Sequence, residues 1–450
     1  MHNLVVIGGG EAGFISALTA KKTNTNANVT LIADDNRFYS PCALPFVISG
    51  EVGINAIVDD LISMCEKSGI KCIIDTVISI DPENKIVRTK KGEEFKYNSL
   101  IIATGGLPFI PDVPGFDLKG VYTLKSIDDA EKILERIKKS KRVAVIGGGA
   151  IGVEISAALV KRNLDVALIE RCPHLLARAF DSEFSVTIEN KLRDNGVNLL
   201  LNSCVSEILG CNEVNGVRIG DKEIDADIVI LGLGVTPNIE LARRAGIEIL
   251  GCGIKTDGWM RTNIKDIYAA GDCVDSRSLL TGKLMLSQLA TTALRHGMTA
   301  GANAVGGYAT FEGVLNSMIL KILDIEVGRT GMTESEAMDN DIETISGVAR
   351  STTRSHYFHG VREITLKLVF NALNRRIIGA QAIGGERVAG KIDLIAFAIA
   401  NNAKIEDLVK LKYCYTPPSA SSRNPIILAA ENAFRKLKRI EEMRKRGFNH

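Results

Sequence analysis

Two stretches of the chain repeat one pattern of apolar, small and polar positions. LVVIGGGEAGFISALTA begins at Leu4, and VAVIGGGAIGVEISAAL begins at Val143. In each, a short run rich in Val and Ile reads as a buried parallel strand; glycines follow, and an Ala-rich segment with helical spacing closes the unit. Other apolar runs share the strand character: NVTLIADD, LIIATGG, LDVALIE, IVILGLGVTPN and IYAAGDC. In each the apolar run gives way within a residue or two to glycine or an acid, the punctuation of a strand passing into a turn. Further on, REITLKLVFNALNRRIIGAQAIGG carries strand segments around a polar turn, and RVAGKIDLIAFAIANNAKIEDL takes up helical spacing. A sheet with helices on it is predicted there. The fold class is α/β: two Rossmann-like dinucleotide-binding domains followed by an α+β domain.

The repeated turns are GxGxxG, with Gly8, Gly10 and Gly13 in the first copy and Gly147, Gly149 and Gly152 in the second. The first glycine permits a tight turn, the second lets backbone approach a pyrophosphate, and the third lets helix pack on strand. One copy is weak evidence, whereas two in strand–turn–helix context predict two dinucleotide sites. Glu11, Ala12 and Ile151 lie inside these turns and are candidate contacts. In the second copy the next strand ends at Glu170, where a carboxylate accepts from ribose hydroxyls and favours NADH. Arg171 follows directly and leaves a route to NADPH. In the first copy the strand ends at Ala33, and the acid is Asp34 or Asp35; Asp34 is the candidate. The remaining strand ends add Ala103, Thr104, Gly105, Gly234, Gly271 and Asp272 to the cofactor-binding set.

Composition narrows the class without changing the picture. The chain has 450 residues, 46% hydrophobic and 24% charged, enough for two or three domains with ample core. Formal net charge is +2, and the one basic run, FRKLKRIEEMRKRG, reads as the solvated face of a helix, so no nucleic-acid partner is expected. No apolar stretch has the length of a membrane span, and Met1, His2 and Asn3 lead into the first strand without a targeting signal. Nine cysteines, an odd number with no CxxC pair and no Cys/His cluster, argue against a disulfide framework and a structural zinc. No metal is expected, and a reducing, cytoplasmic location is.

One cysteine stands apart. In YSPCALPF, Cys42 lies between Pro41 and Pro45, and the partner positions of CxxC and CxxxxC motifs are Pro45 and Val47. A redox role for this thiol requires a partner sulfur from elsewhere.

These motifs, spread along essentially the whole chain, resemble those of the FAD-dependent pyridine nucleotide–disulfide oxidoreductases. The match is to the single-cysteine branch: coenzyme A disulfide reductases, NADH oxidases and NAD(P)H-dependent persulfide reductases. The resemblance implies that the first glycine motif binds FAD and the second NADH or NADPH. It places Asp272 near the flavin ribityl and pyrophosphate, and makes IATGG the exit from the FAD domain. It implies an FAD domain at 1–110 and 240–314, an NAD(P)H domain at 111–239 and a dimerisation domain at 315–450, hence a homodimer. Cys42 becomes the redox cysteine at the start of a helix beside the flavin, where a helix N-terminus supplies thiolate. The substrate then brings the second sulfur, as a low-molecular-weight disulfide, persulfide or polysulfide, with coenzyme A as the expected carrier. Two other readings stand beside this one. Cys42 cycles through a sulfenic acid in an NADH oxidase that reduces oxygen or peroxide, or the flavoprotein is a redox sensor or binding scaffold. Glu11 occupies the loop in which the peroxidase and water-forming oxidase branches place a histidine.

The resemblance also implies roles near the C-terminus. Tyr415, Pro417 and Pro418 in KYCYTPPSA match a loop that reaches the active site of the partner subunit. Histidines stand at 2, 174, 296, 356, 359 and 450, none in CYTPPSASSRNP, so acid–base work falls to Tyr415 and Tyr357. Tyr357, read as a strand residue, aligns with the first of a tyrosine pair; Phe358 replaces the second and His359 a proline. Lys22, in LTAKK at the end of the first helix, and Ser40, beside Cys42, are candidate substrate contacts, while Thr19 replaces a commonly basic position. Ala150 stands where relatives place a tyrosine over the flavin. Cys414 is a candidate resolving thiol for Cys42 of the other subunit. With no rhodanese module in view after His450, the sulfur donor is expected to be a separate molecule.

Overall fold

In the computed structural model, which describes residues 1–445, the predicted strand Asn3–Ile7 is the centre of a five-stranded sheet. Its order is Ile267–Ala269, Ser99–Ile102, Asn3–Ile7, Asn28–Ala33 and Lys71–Ile74, all parallel. A parallel sheet needs helices on its faces, which explains the unbroken apolar runs. Leu4, Leu31, Leu100, Ile101 and Ile102 are all at 0% exposure, each burial contributing about 1.5–3 kcal/mol. Helices Glu11–Thr23 and Ala290–Ala304 meet through small residues. A Cβ on Gly301 would lie 2.2 Å from the Ser16 carbonyl oxygen, and one on Gly297 2.6 Å from that of Ala12. These elements form one unit from residues 1–112, 122–139 and 233–314. Residues 122–139 join it through Arg37 Nη1, 2.7 Å from Asp128, and Tyr39 Oη, which accepts from the Ile127 N–H at 3.3 Å.

The second unit comprises residues 113–121, 140–232 and 315–450. Its parallel sheet repeats the first pattern, with Ile228–Leu231, Arg142–Ile146, Asp165–Ile169 and Asn198–Leu200 side by side. The C-terminal part is an antiparallel sheet ordered Met318–Ile322, Ile325–Gly331, Ile377–Gly384, Glu363–Asn371 and Thr344–Thr352. The polar turn read in the sequence joins the Glu363–Asn371 and Ile377–Gly384 strands, closed by Asn371 Oδ1 accepting from the Leu373 and Asn374 N–H groups. Ile377–Gly384 is buried at every position, so both its faces are covered. The basic run falls on helix Pro425–Lys445 as far as the described residues extend.

One polar rung crosses this apolar sheet. Lys367, 3% exposed, pairs in register with Gln381, and its ammonium meets Asp181 at 2.8 Å, Glu183 at 2.5 Å and Glu334 at 2.6 Å. Gln381 donates to Asp181 at 2.5 Å and accepts from its N–H at 2.8 Å. The three carboxylates lie close enough to hold a cation, and the lysine is that cation.

Candidate active site

The two glycine motifs fold to the same shape. Gly8 and Gly147 have φ of +113° and +106°, and Gly10 and Gly149 cap their helices at φ −77° and −76°. A Cβ on Gly8 would meet the Ala103 carbonyl oxygen at 2.1 Å, one on Gly13 that of Gly8 at 1.9 Å, and one on Gly152 that of Gly147 at 1.8 Å. The outer glycines therefore serve the chain's own packing. Beside Gly10 and Gly149 there is open space, at helix N-termini whose N–H groups favour an anion. A pyrophosphate fits there. Ala12 is buried, Ile151 half-buried, and burial raises the pKa of half-buried Glu11 above the usual carboxylate range.

Around the first motif a cavity of about 350 Å³ is lined by Gly8, Ile32, Asp34, Thr104 and Asn238, among others. Asp34 opens onto it. Its neighbour Asp35 is engaged by Arg37, which donates from its backbone N at 3.0 Å and from Nε at 2.7 Å. Thr104 Oγ1 donates to the Asn238 carbonyl at 2.6 Å, and the Asn238 N–H to that of Gly105 at 2.9 Å. Gly105 and Gly234, at φ +67° and +96°, turn the two strands through this crossing. Gly271, at φ +86°, presses its turn against the glycine-motif helix, where a Cβ would come 2.7 Å from the Ala12 Cβ. Asp272 follows and meets Lys125 Nζ at 3.6 Å. An open helix terminus, an acid at a strand end and a cavity beside both suit an adenine dinucleotide such as FAD.

At the second motif, Glu170 accepts from the Gly148 N–H at 2.5 Å and the Cys172 N–H at 2.7 Å. These bonds hold the carboxylate at the mouth of the loop and leave lone pairs for ribose hydroxyls. Arg171 is exposed. Five residues beyond Gly149, burial raises the Glu154 pKa to about 7 against an opposing hydrogen bond from the backbone of Lys321 on the C-terminal sheet, an environment that the sequence reading passed over. Its signal was present: a single acid inside the apolar helix AIGVEISAALV. Lys125 was also passed over, and nothing local marks it.

Cys42 is exposed, in a 3₁₀ turn at Pro41–Ala43, and the α-helix runs from Leu44 to Ser49. The helix thus begins two residues later than the expected start at Cys42, because Pro41 leads a tighter turn first. Leu44, Pro45, Val47 and Ile48 are buried and anchor the segment, while Ser40 is exposed ahead of it. At the end of the first helix Lys21 donates to the Thr25 and Ala27 carbonyls at 3.0 Å, whereas Lys22 is exposed.

In the second unit the two tyrosine segments meet. The Ser355 N–H donates to the Pro417 carbonyl at 3.0 Å, and the Ser355 and Tyr415 hydroxyls lie 3.3 Å apart. Tyr357 is not in a strand: the strand ends at Thr352, and Tyr357, 65% exposed, stands on the following loop between His356 and Phe358. Cys414, Tyr415 and His359 are exposed.

Residues 2–297 match the family model described as pyridine nucleotide-disulphide oxidoreductase, and residues 318–425 match its dimerisation domain. The chain belongs to the pyridine nucleotide-disulphide oxidoreductase family, an oxidoreductase class that implies FAD and NAD(P)H. It is 38% identical over 445 residues to a NADH oxidase of Methanocaldococcus jannaschii, covering 96% of this chain and 99% of that one. An NAD(P)H sulfur oxidoreductase (CoA-dependent) of Pyrococcus abyssi is 35% identical, with 95% and 97% covered. Among solved structures, a NAD-dependent persulfide reductase from A. fulgidus superposes with a TM-score of 0.94 at 32% identity, covering 97% of this chain and 84% of that one. Among the described residues no helix is long and apolar enough to cross a membrane.

Proposed function

We propose that this chain uses NADH, and less efficiently NADPH, to reduce the sulfur–sulfur bond of a coenzyme A disulfide, a coenzyme A persulfide or polysulfide through Cys42 alone. The observation that carries the reading is Cys42 itself: exposed between two prolines, ahead of an uncapped helix N-terminus, with no other cysteine in its turn or helix. Residues 1–110 and 240–314 hold FAD, 111–239 hold NAD(P)H while lending Lys125 and Asn238 to the FAD side, and 315–450 pair the subunits of a homodimer. Bound FAD supplies the relay of an electron pair from NADH to sulfur.

With a persulfide, the Cys42 sulfur attacks the thiol-bearing sulfur, forms a disulfide to it and expels hydrosulfide. Two electrons from NADH then cleave that disulfide, returning Cys42 and releasing the thiol. The sum is RSSH + NADH + H⁺ → RSH + H₂S + NAD⁺. A symmetric disulfide follows the same path and yields two thiols. Tyr415, with Tyr357 on the adjoining loop, supplies the proton to the departing sulfur. Lys22 and Ser40 contact the coenzyme A portion. Nine unpaired cysteines suit a reducing cytoplasm.

Similarity to the NADH oxidase of M. jannaschii, together with Ala150 in the second glycine motif, favours oxygen reduction as a second reading. Steady-state NADH oxidation compared across coenzyme A disulfide, coenzyme A persulfide, polysulfide and oxygen separates the two. We expect a sulfur acceptor to give the highest kcat/KM; oxygen outrunning all three would reject the sulfur reading.

A further inference from the structure

We infer that His296 is a positioning residue for the flavin nucleotide, its imidazole holding the Gly271–Asp272 turn in shape. The inference rests on the assignment of FAD to the first glycine motif. His296 lies on helix Ala290–Ala304 at 1% exposure. Its Nδ1 accepts from the Gly271 N–H at 3.3 Å. Accepting at Nδ1 fixes the tautomer, so the proton sits on Nε2, 3.5 Å from Ser276 Oγ. The ring also meets Phe311 edge-on, with centroids 4.4 Å apart.

Gly271 is where the chain leaves the sheet. The Ala270 N–H still donates to the Ile102 carbonyl at 2.9 Å, and among the described residues the next N–H, that of Gly271, has only the imidazole to meet it. A buried N–H without a partner is unfavourable. An apolar side chain would satisfy Phe311 and leave that N–H unpaired, so the ring nitrogen is what histidine adds here. Asp272 is the next residue and also faces Lys125, so a displaced Gly271 displaces both charges. Gly297 and Gly301 bring the same helix onto Ala12 and Ser16 of the glycine-motif helix. The imidazole thus ties the Asp272 turn to the element that offers its N-terminus to the pyrophosphate. Burial lowers the His296 pKa to about 4, which keeps the Nδ1 lone pair free at neutral pH.

The test compares His296→Asn with His296→Leu in the full-length protein. Asparagine Oδ1 takes the place of Nδ1, leucine has the same branched shape without an acceptor, and both leave the same space beside Phe311. We expect the FAD dissociation constant to rise about tenfold in His296→Leu, the scale of one buried donor left unpaired. His296→Asn should stay within about threefold of wild type. The visible spectrum of the bound flavin should change in the leucine variant and be restored by asparagine, and thermal unfolding should fall further in the leucine variant than in the asparagine variant. FAD affinity and spectra unchanged in the leucine variant, or equally impaired in both, would overturn the inference. A wild-type protein that takes up no FAD would overturn the cofactor assignment itself.

Discussion

Replacing Lys367 with methionine keeps the side-chain length and removes the one positive charge from a buried site. Asp181 is 8% exposed there. Burial pushes its carboxyl up, but hydrogen bonds from Lys367 and Gln381 outweigh that and hold it below the usual range. In the variant Asp181 keeps Gln381 at 2.5 Å and loses its counter-charge. An ion pair broken in this way costs about 3–5 kcal/mol. Glu183 and Glu334, at 50% and 35% exposure, turn to water and add about 0–1 kcal/mol each. The Asp181 contribution dominates and by itself corresponds to an opening equilibrium raised by about two to three and a half orders of magnitude, at about 1.4 kcal/mol per factor of ten, and the two glutamates extend the upper end to about five. Amide hydrogen exchange along Glu363–Asn371 and Ile377–Gly384 reads that equilibrium locally. Adding Asp181→Asn removes the stranded charge and should recover most of the loss. Acidification should narrow the gap between single and double variants, since a protonated Asp181 no longer needs the ammonium. Acceleration below tenfold in Lys367→Met, or no recovery in the double variant, would refute the reasoning.

Gly152→Ala sets a methyl 1.8 Å from the Gly147 carbonyl and should destabilise the second unit by about 1–3 kcal/mol or more. Gly149→Ala faces open space and should leave urea unfolding unchanged while weakening NADH in calorimetric titration. Glu170→Ala should reduce the NADH over NADPH ratio of kcat/KM, and an unchanged ratio would remove Glu170 from the ribose site. His296, shifted from 6.5 to about 4, contributes stability that is present above pH 6.5 and lost as pH falls through 4, worth about 3 kcal/mol. Glu154, shifted from 4.5 to about 7, acts in the opposite sense: its contribution is full below pH 4.5 and lost as pH rises through 7. Thermal unfolding against pH should therefore lose the part of its decline between pH 6.5 and 4 in His296→Asn and the part between pH 4.5 and 7 in Glu154→Gln, while depressed carboxyls such as Asp181 keep an acid decline at lower pH.

The glycine motifs were legible because everything they need is local: a strand, a turn whose outer glycines touch their own neighbours, and a helix. The same holds for the strand ends at Ala103, Glu170 and Gly271, where an apolar run stops at a turn residue. Lys125 and His296 were not legible as partners of the Gly271–Asp272 turn, since each reaches it only after the chain has folded back across the sheet. Tyr357 was misread as a strand residue because HYFHG has strand-like aromatic composition. Its loop is held instead by a tertiary bond, from the Ser355 N–H to the Pro417 carbonyl. The helix after Cys42 was read two residues early because a leading proline suits a 3₁₀ turn as well as an α-helix.

The central claim, that Cys42 alone carries the sulfur chemistry, is tested most directly by anaerobic rapid mixing of Cys42→Ser with NADH and then coenzyme A persulfide, counting hydrosulfide released per NADH consumed. The account predicts that NADH still bleaches the flavin at the wild-type rate and that hydrosulfide release by turnover is abolished. Turnover of the persulfide at the wild-type rate in Cys42→Ser would contradict it.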